Sequence, residues 1–242
     1  MIVGENMGFD FSFMLVALRE SLKATPITLI LTIVPFIIGI IFGTILAVFR
    51  LFKIKVLGRL AQIYIVIIRG IPIVLLLLMV YFCVYNYFDV FAIRFHWKIK
   101  AKNINTIYVA LIALTLYSTA ALSEVVRGAL ISVGIGQFEA GYSVGLTRIQ
   151  TIRRIILPQA LPVAVPMLSN TIIGLLKGSS LAYMVAVVEL LNAAIITDNE
   201  NYKFLEVYVA AAIIYWALTI FIEKISYILE KKLTIHGRSE LN

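Results

Sequence analysis

Charge is scarce in this chain. Only 14% of its 242 residues are Asp, Glu, Lys or Arg, against roughly a quarter in a soluble domain. Acidic side chains are the rarer sign, 13 against 21 Lys and Arg, which leaves a formal net charge of +8. Cysteine occurs once, as Cys83 inside an apolar run. That excludes an internal disulfide, and one cysteine cannot build a metal site alone; its setting predicts a small buried apolar residue. The two histidines, His96 and His236, lie far apart and show neither zinc nor triad spacing. No glycine-rich loop is followed by Lys-Ser or Lys-Thr, so the chain lacks the motif for holding ATP itself. No span carries paired carboxylates and no Ser-His or metal-ligand grouping is visible, which argues against a membrane enzyme. The first residues lack a basic stretch followed by a cleavable apolar run, so no signal peptide is expected.

Apolar surface is what the chain has in excess. Hydrophobic residues make up 62% of it, and the mean hydropathy is +1.00. A soluble fold of this length could not hide so much apolar area, whereas lipid solvates it. Five apolar stretches stand out. The first, about Thr25 to Phe49, carries no charge and is long enough for a tilted crossing. It contains Gly39 and Gly43 in G-x-x-x-G spacing, which either brings two helices close or reflects only the frequency of glycine in membrane helices. The second, about Leu60 to Phe88, is interrupted at Arg69-Gly70-Ile71-Pro72, where a kink or break is expected because Pro72 has no backbone donor. The third runs from about Ile107 to Val126 with Glu124 near its end. The fourth, about Val163 to Val188, encloses Lys177-Gly-Ser-Ser180. The fifth, about Leu205 to Leu229, gathers Glu223, Lys224 and Glu230 as it runs out into water.

Ahead of the first stretch, Phe9, Phe11, Phe13, Met14, Leu15 and Leu18 precede Arg19 and Lys23. This reads either as a helix lying in the outer interface or as a disordered tail. With no internal repeat and no linker, one membrane domain over residues 1–242 is the simplest organisation. Residues 1–24 would be an external segment and 230–242 a cytoplasmic tail.

Lys and Arg collect on cytoplasmic loops. Arg50, Lys53, Lys55 and Arg59 follow the first span; Arg127, Arg148, Arg153 and Arg154 follow the third; Lys224, Lys231, Lys232 and Arg238 follow the fifth. These groups place the C-terminus in the cytoplasm. They also account for the positive charge without a nucleic-acid partner. Glu5, Asp10, Glu189, Asp198 and Glu200 then fall outside, against Lys203. One loop, with Arg94, Lys98, Lys100 and Lys102, is basic on the external side and faces either a partner or anionic lipid.

The most informative stretch is Glu139 to Pro158, EAGYSVGLTRIQTIRRIILP. Gln137 to Val144 can form a short helix that Gly145 ends, since glycine takes the left-handed conformation at little cost. Thr147 and Gln150 match a capping box, opening a second helix that Pro158 is expected to stop after Leu157. Ile149, Ile152, Ile155 and Ile156 would form its apolar stripe, with Arg148, Arg153 and Arg154 pointing elsewhere. Such a knob either docks into a groove on another protein or lies on lipid, and composition alone leaves both open.

The order Glu139-Ala140-Gly141, Gly145, Ile155 and Leu157-Pro158 resembles the EAA loop of permease subunits of ATP-driven (ABC-type) importers. Further matches are similar to the polar amino acid permeases in particular: Glu124-Val-Val-Arg127-Gly128 leading into Gly136-Gln137-Phe-Glu139-Ala140, the Arg69-Gly70-Ile-Pro72 stretch, and Leu176-Lys177-Gly-Ser-Ser180-Leu181 with Glu189-Leu190 beyond. Together they cover roughly Thr25 to Lys232. The resemblance implies an all-α membrane protein of five transmembrane helices with a cytoplasmic two-helix coupling loop over residues 137–158. Gln137, Glu139, Ala140, Gly145, Arg148, Ile155, Leu157 and Pro158 would couple it to ABC ATPase subunits. It implies a second permease subunit, identical or related, and an extracytoplasmic amino-acid-binding protein, in a cytoplasmic membrane with the N-terminus outside. ATP and Mg would belong to the ATPase, leaving this chain without a cofactor.

Two departures matter. Gly141 stands where a second alanine is usual and is expected to loosen the first short helix, by up to about 1 kcal/mol. Gly178 and Ser179 stand where Asp-Thr is common, which argues against strongly cationic substrates and toward cystine or related sulfur amino acids. For the substrate path, Arg69, Glu124 and Lys177 are candidates because charges inside a bilayer face cavities or partners. Arg69, Glu124 and Glu189 have an alternative: a place near a span end, meeting water, headgroups or backbone. Lys177 would meet a substrate carboxylate or an acidic group of the second subunit. Ser179 and Ser180 donate either to a substrate or back to their own helix, and Tyr183 and Met184 are expected to pack. The rival reading, a secondary transporter driven by an ion gradient, leaves the knob unexplained and has no inverted repeat behind it.

Overall fold

The computed structural model describes residues 9–198 and 202–239, and for 234–239 the backbone alone. Glu5, Glu200 and the side chains of His236 and Arg238 lie outside what is described. All regular structure among the described residues is helical. The α-helices are α1 (Phe11–Leu51), α2 (Lys55–Gly70), α3 (Ile73–Arg94), α4 (Thr106–Ser132), α5 (Ile135–Ser143), α6 (Arg148–Thr151), α7 (Leu157–Ser179), α8 (Leu190–Ile196) and α9 (Phe204–Ser239). Among the described residues five helical runs are long and apolar enough to cross a membrane: α1, α3, α4, Arg148–Val185 and Phe204–Leu233. The protein is an all-α membrane protein with five such helices.

α1 differs from expectation. Among the described residues no separate interfacial helix precedes the first span; the segment from Phe11 on is the opening of one 41-residue helix, about 60 Å long, twice the thickness of a hydrocarbon core. The reason is tertiary. Met14, Ala17, Ser21, Ala24, Thr28 and Leu31 recur every three or four residues and are all buried, so one stripe carries the helix on through Pro26. The expected interruption at residues 69–72 is a full break. Ile71, forced toward extended backbone by the proline after it, has φ −96° and ψ 126°, and α3 starts one residue beyond Pro72. Cys83 is exposed rather than buried, as the apolar face of a membrane helix allows.

The described residues group into two compact units. The first comprises residues up to Val34, Ile73–Leu114 and Leu175–Thr219. In it Met14 and Ala17 of α1 pack with Leu190 and Ala194 of α8 and with Val207, Ala210 and Ile214 of α9. A second cluster joins Leu31, Leu77, Ala110, Ala113, Leu114 and Val185. The second unit comprises Pro35–Pro72, Thr115–Gly174 and the residues from Ile220 on. Here Gly39 and Gly43 decide the helix spacing: α4 lies so close that a Cβ on Gly43 would stand 2.8 Å from the backbone nitrogen of Ser123. Of the two sequence readings of G-x-x-x-G, close helix approach is the one the structure adopts.

Candidate coupling elbow and polar pocket

Residues 135–160 form an elbow whose turn is dictated locally. α5 ends in hydrogen bonds from Val144 N–H to Ala140 O and from Gly145 N–H to Tyr142 O. Gly145 then takes φ +80°, a conformation that a side chain would strain. Thr147 opens the next helix with a complete capping box: its N–H donates to Gln150 Oε1 at 2.8 Å, and its Oγ1 accepts from Gln150 N–H. Each terminus of the bend is therefore satisfied within a few residues.

Pro158 does not stop the second arm. Between Ile152 and Ile156 the helix widens into a π turn, with Leu157 N–H donating to Ile152 O five residues back. The extra residue makes room for the proline ring, whose missing donor would otherwise interrupt an α-helical ladder. Gln159 Nε2 donates to Ile155 O at 3.0 Å beside it. The arm thus runs unbroken from Arg148 to Val185, 38 residues. The helix that carries the fourth apolar run begins inside the elbow, ahead of Val163.

The same widening splits the expected isoleucine stripe. Ile156 is fully buried and Ile155 half-buried, packed with Phe138 of α5, Ala160 of α7, and Ala129 and Val133 at the end of α4. Burying a side chain of that size is worth about 1.5–3 kcal/mol, so this cluster holds the elbow from within. Ile149 instead points away and is 78% exposed. Gln137, Glu139, Ala140, Gly145, Arg148, Leu157 and Pro158 are exposed too, with Gln159 Nε2 donating to Gln137 Oε1. The Arg148 guanidinium sits 3.6 Å from the Phe52 ring centroid, a cation–π contact. Exposed Ile135 and Val144 join Ile149 as apolar points on the elbow that the sequence reading missed; neither belonged to the isoleucine stripe.

Arg69 and Glu124 come together. Both line a pocket of about 440 Å³ with Tyr117, Met167 and Thr171. Tyr117, Ala121 and Glu124 reach it from α4 because they are spaced at one helical face. Glu124 is not a free carboxylate there. Arg50 of α1 donates to one oxygen, and Arg127 donates to the other at 2.7 Å. Arg50 as its partner was invisible in the sequence, 74 residues away. Lys177, Ser179 and Ser180 belong to the other compact unit. Lys177 is exposed at the end of α7. Ser179 and Ser180 donate to the carbonyls of Leu176 and Lys177, each at 2.7 Å, so in this structure their hydroxyls serve their own helix. Tyr183 and Met184, expected to pack, are exposed. They belong to a 3-10 run that ends at Ala186, which is left-handed at φ +59°.

Glu189 is fully buried, not set in water at a span end. It caps α8, accepting from Leu191 N–H and Asn192 N–H at 3.0 and 2.9 Å and from Tyr215 Oη at 2.7 Å. Thr28 Oγ1 accepts from Leu190 N–H beside it. Burial pushes its carboxyl above the usual carboxylate range, against the opposing pull of these donors.

Comparison with known proteins decides what kind of chain this is. Residues 39–235 match the family described as binding-protein-dependent transport system inner membrane component. The chain belongs to this family. Members are membrane-embedded transport components rather than enzymes, and the ATPase with which they act is a separate subunit. This inner membrane component is 40% identical over 211 residues to the probable amino-acid permease protein YxeN of Bacillus subtilis strain 168, covering 87% of this chain and 90% of that one. It is 36% identical to the L-cystine transport system permease protein TcyB of the same organism, over 85% of this chain and 83% of the other. Among solved structures, the crystal structure of an amino acid ABC transporter with histidines is 28% identical and covers 93% of this chain and 100% of its own, with a TM-score of 0.78.

Proposed function

We propose that this inner membrane component imports a polar amino acid, cystine or a related sulfur amino acid, and that residues 137–158 couple it to its ATPase. The observation that carries the reading is the elbow. Its inner face is locked by Phe138, Ile155 and Ile156, while Glu139, Ile149 and Val144 are left exposed. Its second arm continues without a break into a membrane-crossing run. A push on the elbow is therefore delivered to the start of a membrane-crossing helix, which is what alternating access by rocking helices requires. Cystine is supported by the relatives and by Gly178 and Ser179, which leave no carboxylate for a cationic side chain. Arg69, Glu124, Lys177, Ser179 and Ser180 are the proposed path residues. In this reading the N-terminus is outside and the C-terminus cytoplasmic, a second permease subunit completes the path, an external binding protein delivers substrate, and the ATPase holds ATP and Mg.

The test is a mild-detergent pull-down of the tagged chain from its own host, with mass spectrometry and uptake assays for cystine and for arginine. We expect an ATPase with Walker motifs to come along, to be lost with Glu139→Lys, and cystine rather than arginine uptake to depend on it. A stable oligomer of this chain without an ATPase, taking up substrate on an ion gradient, would overturn the coupling.

A further inference from the structure

The turn from α1 into α2 encloses a cavity of about 1020 Å³ that neither the elbow nor the polar pocket uses. Five cations line it: Arg50, Lys53, Lys55, Arg59 and Arg127. Arg50 and Arg127 share the Glu124 carboxylate, so the lining keeps four uncompensated positive charges. Among the described residues no acidic side chain lines it. Between the cations the lining is mostly apolar, through Leu60, Ile63 and Ile131, with Gln62 among them.

The two chemistries are segregated along α2. Lys55 and Arg59 are one turn apart at its start. Val56, Leu60, Ile63 and Ile67 follow at helical spacing, all of them more than half exposed. The opposite side of α2, with Ala61, Ile65 and Ile68, is buried in the protein. The cavity lies at the end of α1, just past the uncharged apolar run that closes at Phe49; where an apolar run of membrane-crossing length gives way to cations, headgroups are expected. The first-turn amides of α2 open there as well, since Ile54 has no side-chain acceptor to cap them.

We propose that this cavity binds an anionic phospholipid. The headgroup phosphate takes Lys53, Lys55 and Arg59, and an acyl chain lies along Leu60, Ile63 and Ile67. A soluble polyanion needs the cations but has no use for the apolar track. A zwitterionic lipid needs the track but carries an ammonium that four positive charges repel. Only a lipid with net negative charge satisfies both halves.

The test uses the full-length chain together with the subunits that copurify. It is placed in phosphatidylcholine bilayers with and without phosphatidylglycerol, then extracted, and the retained lipid is identified by native mass spectrometry. The wild type is expected to retain phosphatidylglycerol over phosphatidylcholine. Lys53→Gln/Lys55→Gln/Arg59→Gln removes three charges outside the Glu124 network. It is expected to weaken phosphatidylglycerol retention on the order of a hundredfold, at roughly fivefold per charge near the surface. The charge-keeping variant Lys53→Arg/Lys55→Arg/Arg59→Lys should restore it, and Lys224→Gln/Lys231→Gln/Lys232→Gln, on α9 and outside the cavity lining, should leave it unchanged. Equal retention of both lipids by the wild type would overturn the proposal even if the triple variant failed to fold. So would equal loss in the two Gln triples. Inorganic phosphate displacing the lipid at equal concentration would reduce the site to one for a small anion.

Discussion

Thr151 occupies the space in which a side chain on Gly141 would stand. A Cβ built on Gly141 would lie 2.5 Å from Thr151 Cγ2 and 2.7 Å from its Oγ1. Thr151 is itself fully buried, its hydroxyl donating to Thr147 O at 3.0 Å. Gly141 is therefore a packing partner across the elbow, not merely a weak link in α5. Gly141→Ala adds helix propensity worth about 1 kcal/mol but overpacks the elbow, which costs about 1–3 kcal/mol. The expected net result is a lower melting temperature of the purified chain. Gly141→Ala/Thr151→Ala should recover most of it, because the nearest remaining atom, Thr151 Cβ, lies at 3.1 Å. A double-mutant cycle with no coupling between the two sites would remove this account.

The G-x-x-x-G pair should respond unequally. At Gly43 the obstacle is backbone, Ser123 N at 2.8 Å and Thr119 O at 3.0 Å, and neither can step aside. At Gly39 it is chiefly the Ser118 hydroxyl, which can rotate at the expense of its hydrogen bond to Pro35 O. Gly43→Ala is expected to lower stability by about 2–3 kcal/mol and Gly39→Ala by about 1 kcal/mol. Thermal unfolding in detergent reads the order, and the reverse order would contradict the packing described.

Glu189 accepts from four donors while fully buried. Removing its carboxylate with Glu189→Ala strands Leu191 N–H, Asn192 N–H and Tyr215 Oη–H and frees the longer Thr28 hydroxyl bond, for a loss of about 3 kcal/mol or more. Tyr215→Phe removes one of the same hydrogen bonds and leaves the cap in place, so it should cost about 1.5–3 kcal/mol. Equal stability of Glu189→Ala and wild type would show that α8 does not depend on this cap.

Acid should loosen the start of α1. Asp10 caps this helix by accepting from Phe13 N–H and is paired with Lys203. The Lys203 hydrogen bond, with those from Phe13 and Ser12, holds its carboxyl well below the ordinary value of 3.8. A carboxylate depressed by folding contributes stability above its unfolded value and loses that contribution as pH falls through its folded one. Proteolysis near residue 10 is therefore expected to be slow at neutral pH and to accelerate below about pH 4. Asp10→Asn should be cut at the faster rate already at neutral pH. A variant cut no faster than wild type would mean that the pair does not anchor the helix.

What was legible in the chain was local or compositional. Five membrane-crossing helices follow from apolar length, since lipid asks only for about 30 Å of apolar helix. The break at Pro72, the bend at Gly145 and the Thr147–Gln150 box follow from residues within four positions of one another. Pro158 misled because the same residue that stops an α-helix is tolerated after a π turn, and nothing at residues 152–157 announces the extra residue in that turn.

The sequence by itself determined that this is a multi-spanning helical membrane protein, and where its elbow bends, because hydropathy and capping act over a few residues. Tertiary structure alone decided that α1 runs on from Phe11 through Pro26 as one helix, that Glu124 is shared by Arg50 and Arg127, that Thr151 needs a glycine at 141, and that basic residues scattered over 78 positions line one cavity. Each of these depends on which helix faces which, and that is set by side-chain packing between segments far apart in the chain, on which local periodicity is silent.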